Sequence, residues 1–593
     1  MKPILAPYPK SIVFKEGIFV FEKTDCLFLF ENTKTELYFT VKRLQRDIKN
    51  RLKLELPIII EKTGSYKAAV VFEKQDCFSR EEYVMDICPE CIKITYSDPA
   101  GAFFAASTLK QLMIYYGRVL PCMRIEDKPD FDARGIMLDI SRDKIPSMET
   151  LYKLVDFMVD FKLNQLQLYV EGFSFAYPSY PFVWQDGTPV TGEEILDLDR
   201  YCKERFIELA PNQNSFGHME KWLERREFAG LAECPEGYEA PWKPGKILKP
   251  ATLDPQNEGS LKLIEELVSD TLPYFTSNLF NVGCDETFEL GKGKSRELCA
   301  KYGTGRVYLD YLLKVYEIVK KHGKQMMFWG DIIIQHPELI SRLPKDIIAL
   351  EWGYEAGHQF KQDGEKFRDA GISFYVCPGT SSWNSISGRT EDMKANLVNA
   401  AVNGKENGSI GYLITDWGDN GHWQYPLFSY PGFLYGAALS WNVEQNIDID
   451  IASCLDAFVF MDKNGCIGRL IMELGNYYLK EKVEMHNITV IAKVLYSGLE
   501  YLDETEFFSI EDFEIIKNYV ANLEAQLRNV NMQIEDAGLV EDEYHNAARF
   551  IKHGCDLGIL KKHLDGKAGN FAVKPLLKSM IEDAAKLIRQ HEN

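Results

Sequence analysis

This 593-residue chain has too few basic residues to balance its acids: 68 Lys and Arg stand against 88 Asp and Glu, a formal net charge of −20. That deficit disfavours nucleic acid and anionic membrane as partners, because both are held largely by Lys and Arg. No run reaches the roughly 18 apolar residues of a membrane span, and Met1 to Pro9 show no apolar leader segment. The 13 cysteines are odd in number and scattered, which leads us to expect free thiols and a cytoplasmic location. Histidine is also scarce: the 10 present include no HxxxH pair, so neither a metal nor a cofactor is expected.

What the chain does have is length and apolar content. Hydrophobic residues make up 46%, enough to build three or four ordinary domains. Residues 1–127 mix short apolar runs such as Ile58-Ile59-Ile60 and Ala68 to Phe72 with a helical pattern over Ala102 to Tyr116, which reads as a small α+β domain. Over residues 128–447 a strand-then-helix rhythm sets in. Strands are expected at Arg134–Ile140, Gln165–Val170, Arg205–Ala210, Leu279–Gly283, Gln325–Trp329, Ile347–Trp352, Ile372–Val376 and Gly411–Thr415. Eight such strands in one domain fit a (β/α)8 TIM barrel of the α/β class better than an open sheet. Residues 448–593 read as a C-terminal helical region, able to pack on the barrel or on a second copy as a homo-oligomer.

In a barrel, chemistry belongs at the C-terminal strand ends. The apolar run Leu279 to Val282 ends in Gly283-Cys284-Asp285-Glu286-Thr287. Adjacent acids are commonly solvated loop residues, but at a barrel mouth they are candidates for acid/base work, one protonated and one ionised. Both reach one site only if the backbone turns there, since strand neighbours point to opposite faces. Glu171, Tyr375 and Asp419 lie at or near other expected strand ends, with His218 beyond the third. Trp329, Trp352, Trp383 and Trp417 also fall near strand ends; core packing explains any one, while four together suit an aromatic wall around a sugar face. Arg134 opens its strand, the wrong end for catalysis.

Three motifs are set aside. Cys88-Pro89-Glu90-Cys91 falls between strand-like runs and reads as a hairpin turn. Gly291 to Ser295 ends like a phosphate loop, but Phe288 stands where its first glycine belongs. No G-x-S-x-G elbow occurs.

Arg134-Gly135-x-x-Leu138-Asp139-x-Ser141-Arg142, Gly217-His218, Gly283-x-Asp285-Glu286 and Trp417-Gly418-Asp419 occur in this order, preceded by Gly101 to Leu112. The set resembles glycoside hydrolase family 20, the exo-acting β-N-acetylhexosaminidases, over roughly residues 5–445. The resemblance implies retaining hydrolysis of terminal β-linked GlcNAc or GalNAc, assisted by the substrate's own 2-acetamido oxygen through an oxazolinium intermediate, an exception to the two-carboxylate scheme. It implies Glu286 as acid/base and Asp285 as the ionised partner of the acetamido N–H. Tyr375 is the expected donor to the acetamido oxygen, and Trp329, Trp352 and Trp417 the walls of the pocket. Arg134 and Asp419 would grip the outer hydroxyls, with His218 beside the acid/base. Three positions depart from the family pattern: Asp419 where a Glu is usual, Glu171-Gly172 where many members carry two aspartates, and Cys377 where many have Asp.

Two other readings are compatible with these residues: release of a disaccharide in the manner of a lacto-N-biosidase, and a catalytically idle glycan-binding barrel. A proton donor at Glu286 argues against the last. GlcNAc against GalNAc, linkage and aglycone depend on loop shape, which the sequence leaves open.

Overall fold

The computed structural model describes residues 2–61, 68–76, 78–240, 245–497, 507–565, 577–578, 580–584 and 586–587. The N-terminal part is a seven-stranded mixed sheet in the order Ser11–Val20, Val119–Asp127, Tyr83–Ile87, Ile92–Tyr96, Ala68–Lys74, Cys26–Phe30, Ile58–Glu61. Cys88 and Cys91 sit in its hairpin turn, where Cys88 N donates to Cys91 O at 3.0 Å. The helix Pro99–Tyr116 begins with Pro at a position that needs no donor and is capped by Asp98, which accepts from Ala100 N and Gly101 N. Its sequence is apolar around almost the whole circumference, and it is buried accordingly. Phe103 meets Phe206 and Phe104 meets Trp441, so this helix fastens the sheet to the next domain.

That domain is a closed barrel of eight parallel strands: Ala133–Asp139, Gln165–Val170, Glu208–Gln213, Leu279–Asn281, Gln325–Trp329, Ile348–Trp352, Ser373–Cys377 and Gly411–Asp416. The third strand lies three residues later than the sequence suggests. Arg205 and Phe206 close the preceding turn instead, with Phe206 in left-handed backbone at φ 59°. Alternate residues fill the barrel, among them Met137, Met327, Leu350 and Leu413, while their neighbours join the outer core. Residues beyond the barrel form helices, including Ile510–Glu524 and Ala537–Asp565. Among the described residues, no helix is long and apolar enough to cross a membrane.

Arg134 corrects the expectation that it grips a sugar. It is 0% exposed at the N-terminal end of the first barrel strand. There it pairs with Glu81 of the N-terminal domain at 2.6 Å and donates to the carbonyls of Lys162 and Phe131. Its guanidinium also lies 4.9 Å from the Trp441 ring centroid. The strand start faces the other domain, away from the mouth, so the residue is a domain joint. Arg134→Ala should therefore lower unfolding free energy in urea by about 3–5 kcal/mol, the typical cost of stranding one partner of a buried ion pair; unchanged stability would contradict this assignment.

Candidate active site

The fourth strand ends in a turn that lets adjacent acids share a site. Gly283, Cys284 and Glu286 all have positive φ, at 66°, 69° and 49°. A Cβ on Gly283 would lie 1.6 Å from Asn214 Oδ1, and one on Gly217 would lie 2.1 Å from the Asp285 carbonyl oxygen. Glycine is thus required at both places by close approach. Tyr308 Oη donates to Cys284 O at 2.9 Å, Trp329 N to Gly283 O at 3.0 Å, and Glu286 N to Asp331 Oδ2 at 3.1 Å.

The turn brings both acids to His218, itself in left-handed backbone at φ 55°. His218 Nε2 lies 3.3 Å from Asp285 Oδ2 and 3.3 Å from Glu286 Oε2, and Nδ1 lies 3.6 Å from Glu171 Oε2. Burial works against a charged imidazole here, but Asp285 and Glu286 together raise its pKa well above the ordinary value. Asp285 is 5% exposed, and its Oδ1 has no partner among the described residues. Glu286 is more open, its side chain 35% exposed. Behind the pair, Asp331 is pushed well above the usual carboxylate range by burial and by Asp285.

Arg142, at the mouth end of the first strand, occupies the place expected for Arg134. Its Nη1 donates to Asp139 Oδ2 at 2.9 Å, and Nη2 pairs with Glu171 Oε2 at 2.9 Å. Asp139 also accepts from Gly418 N at 2.9 Å, tying the first strand to the eighth. Tyr169 Oη donates to Glu171. Asp419 follows the eighth strand and accepts from Asn384 Nδ2 at 2.8 Å. Burial pushes its carboxyl up to about 6, with Arg142 opposing and Asp139 and Glu286 adding to the rise.

Trp352, Trp383 and Trp417 gather around Tyr354, with Trp329 next to Trp417. Trp352 stacks on Tyr354 at 5.2 Å, Trp383 meets it edge-on at 5.1 Å, and Trp417 Nε1 donates to Tyr354 Oη at 2.7 Å. Trp329 and Trp417 lie 6.0 Å apart. Tyr375 is not among them, a second correction. As the middle residue of its strand it fills a deeper layer, its hydroxyl 3.4 Å from the side chain of Gln165, which begins the second strand. Its ring crosses Gly411, where a Cβ would lie 2.5 Å away. Cys377 is wholly buried in the same interior cluster. Arg142 and Tyr354 were legible in principle, one as the last residue of a quoted motif and one two residues past a strand end.

Several other groups can be placed relative to the mouth. Glu351, His358 and Asp363 hold one potential metal-ligand atom each within 4.8 Å of one another. Glu351 alternates with the pocket-side Leu350 and Trp352, so this trio lies behind the wall. Glu351 is pushed up to about 7 by burial, and His358 bonds it at 2.8 Å. The phosphate-loop-like turn is occupied by the chain's own Glu233, whose carboxylate accepts from Gly293 N, Ser295 N and Ser295 Oγ. A cavity of about 380 Å³ beside Arg389, Asp392 and Tyr478 includes neither Asp285 nor Glu286. The carboxylates, rather than cavity size, mark the site. His218 should keep its proton as pH rises past 6.5, and lose it at lower pH in Asp285→Asn. Side-chain ¹⁵N spectra of the imidazoles, assigned with His218→Gln, check this; an ordinary titration in the wild type would contradict the geometry.

Comparison with known proteins matches both the N-terminal domain and the barrel. The model described as "Glycosyl hydrolase family 20, catalytic domain" matches residues 131–398, and "Glycosyl hydrolase family 20, domain 2" matches residues 2–128. A beta-hexosaminidase of Porphyromonas gingivalis is 26% identical over 289 residues, 43% of this chain and 36% of that protein. Beta-hexosaminidase A of Caenorhabditis elegans is 26% identical over 369 residues, 55% of this chain and 63% of that one. The alignments thus span less than two thirds of these relatives. The crystal structure of a chitobiase of Flavobacterium johnsoniae shares the fold, with a TM-score of 0.65 at 19% identity over 97% of this chain and 95% of that one. With both family domains matched in order and the acid pair at the barrel mouth, the chain belongs to glycoside hydrolase family 20.

Proposed function

We propose that the protein is an exo-β-N-acetylhexosaminidase that removes terminal β-linked GlcNAc or GalNAc with retention. The observation that carries this reading is the setting of Asp285: a buried carboxylate with one oxygen at His218 and the other unpartnered, beside an aromatic box. A free carboxylate oxygen fits an acetamido N–H, and the tryptophan faces fit its methyl group and the sugar ring.

In the first step the acetamido oxygen forms a bond to the anomeric carbon while the glycosidic bond breaks. Glu286 gives its proton to the departing oxygen. Positive charge develops on the acetamido group, and Asp285 stabilises it while holding the N–H in place. Tyr354, whose hydroxyl burial keeps protonated, is the donor for the acetamido oxygen in place of Tyr375. Glu286 then removes a proton from water, which attacks the anomeric carbon, opens the oxazolinium ring and restores the acetamide. His218 sits between both acids and Glu171, so it can follow their change in charge. Arg142, Glu171 and Asp419 line the side for the outer hydroxyls.

Hydrolysis of p-nitrophenyl β-GlcNAc and β-GalNAc tests the proposal. The wild type should cleave at least one, with Glu286→Gln and Asp285→Asn each reducing kcat by ~10²–10⁴. Inactivity of the wild type on both would overturn the reading; an active Asp285→Asn would overturn the assisted mechanism.

A further inference from the structure

The loop between the seventh barrel strand and the helix Thr390–Glu406 carries Trp383 and Asn384 into the site. It is an unusual piece of backbone. Ser381, Asn384 and Ile386 have positive φ, at 50°, 52° and 69°, a region that side-chain-bearing residues resist. Such a path persists only when surrounding contacts over-determine it. The barrel supplies one set, through Thr380 and Ser382 donating to the buried Asp416.

The second set comes from the C-terminal region. Tyr477 Oη donates to Ser385 O at 2.8 Å, Thr390 N to Gly475 O at 3.0 Å, and Thr489 N to Asn384 O at 3.0 Å. The Asn384 side chain is the point where these contacts reach the site. Its Nδ2 donates to Asn487 O at 3.3 Å and to Asp419 Oδ2 at 2.8 Å, while Oδ1 accepts from Asn420 Nδ2 at 2.9 Å. Both N–H donors of this side chain are therefore engaged within the protein, and its oxygen holds Asn420. Asp419 is one methylene shorter than the Glu usual at its place, and it too has positive φ, at 45°. Arg142 and Asp139 at the first strand end, Glu286 at the fourth and Tyr496 of the C-terminal region are the other titrating groups around it.

We propose that the C-terminal region is a working part of the sugar pocket: through Asn487 and Thr489 it fixes Asn384, and Asn384 aims the Asp419 carboxylate at the outer hydroxyls of the terminal sugar. Asn384 is a positioning residue that acts through Asp419. The inference rests on the hexosaminidase reading, and its test separates the two.

The test is a double-mutant cycle of Asn384→Ala and Asp419→Ala, read as kcat and KM on p-nitrophenyl β-GlcNAc and β-GalNAc. Asn384→Ala should raise KM by ~10-fold or more, with kcat changed less, as expected when a charge-assisted binding contact is lost. Adding it to Asp419→Ala should cost nothing further. Tyr477→Phe, which touches no substrate, should raise KM in the same direction. If Asn384→Ala leaves KM unchanged, or its loss multiplies in full with that of Asp419→Ala, the proposal is wrong. Should Asn384→Ala fail to fold, the isosteric Asn384→Asp takes its place in the cycle; it sets two carboxylates face to face and should raise KM further. If the wild type cleaves neither substrate, the hexosaminidase reading fails instead. Calorimetric binding of N-acetylglucosamine then runs the same cycle, with full additivity again refuting the coupling.

Discussion

Everything at the mouth of this barrel depends on the left-handed turn after its fourth strand. On a regular strand Asp285 and Glu286 would face opposite sides, one toward the pocket and one toward the helices. Positive φ at Gly283, Cys284 and Glu286 bends the chain so that both carboxylates meet one imidazole. The turn is paid for by contacts that leave no alternative: Asn214 fills the space a side chain at Gly283 would need, and Tyr308 holds the Cys284 carbonyl. Asp331 holds the Glu286 amide. Strain here is local and functional, as the surrounding structure requires.

The turn also creates the electrostatic problem that the rest of the site answers. Asp285, Glu286, Glu171, Asp139, Asp331 and Asp419 converge in a partly desolvated space, where like charges cannot all ionise freely. Arg142 neutralises Asp139 and Glu171, the two adjacent acids raise the His218 pKa well above its ordinary value, and burial pushes that of Asp331 up. What remains is Asp285, buried with one oxygen unpartnered and so suited to holding an N–H, and Glu286, more exposed and so open to a leaving group or water. Those are different tasks, set by environment rather than by residue type.

The barrel was legible because its interior strands read as apolar runs separated by helical segments, and the acid pair because it ends such a run. Depth within the barrel was much harder to read. Arg134 and Tyr375 both lie on barrel strands, yet one sits at the bottom and the other in a middle layer, whereas Arg142 follows the first strand and Tyr354 the sixth, both at the mouth. Motif order carries no register. The contribution of residues 474–489 was invisible for a different reason: it runs through backbone carbonyls and amides, such as Asn487 O and Thr489 N, which no pattern of side chains announces. The third strand slipped because Phe206 adopts a left-handed turn that its side chain does not advertise.

The central claim is that the nucleophile belongs to the substrate and that Asp285 holds it. Successive fluorination of the substrate's N-acetyl methyl group tests this most directly, since each fluorine drains electron density from the acetamido oxygen while leaving the leaving group unchanged. Substrate assistance requires that kcat/KM on p-nitrophenyl glycosides fall steeply from acetyl through fluoroacetyl and difluoroacetyl to trifluoroacetyl. A flat series in an active enzyme would contradict it and return the nucleophile to the protein.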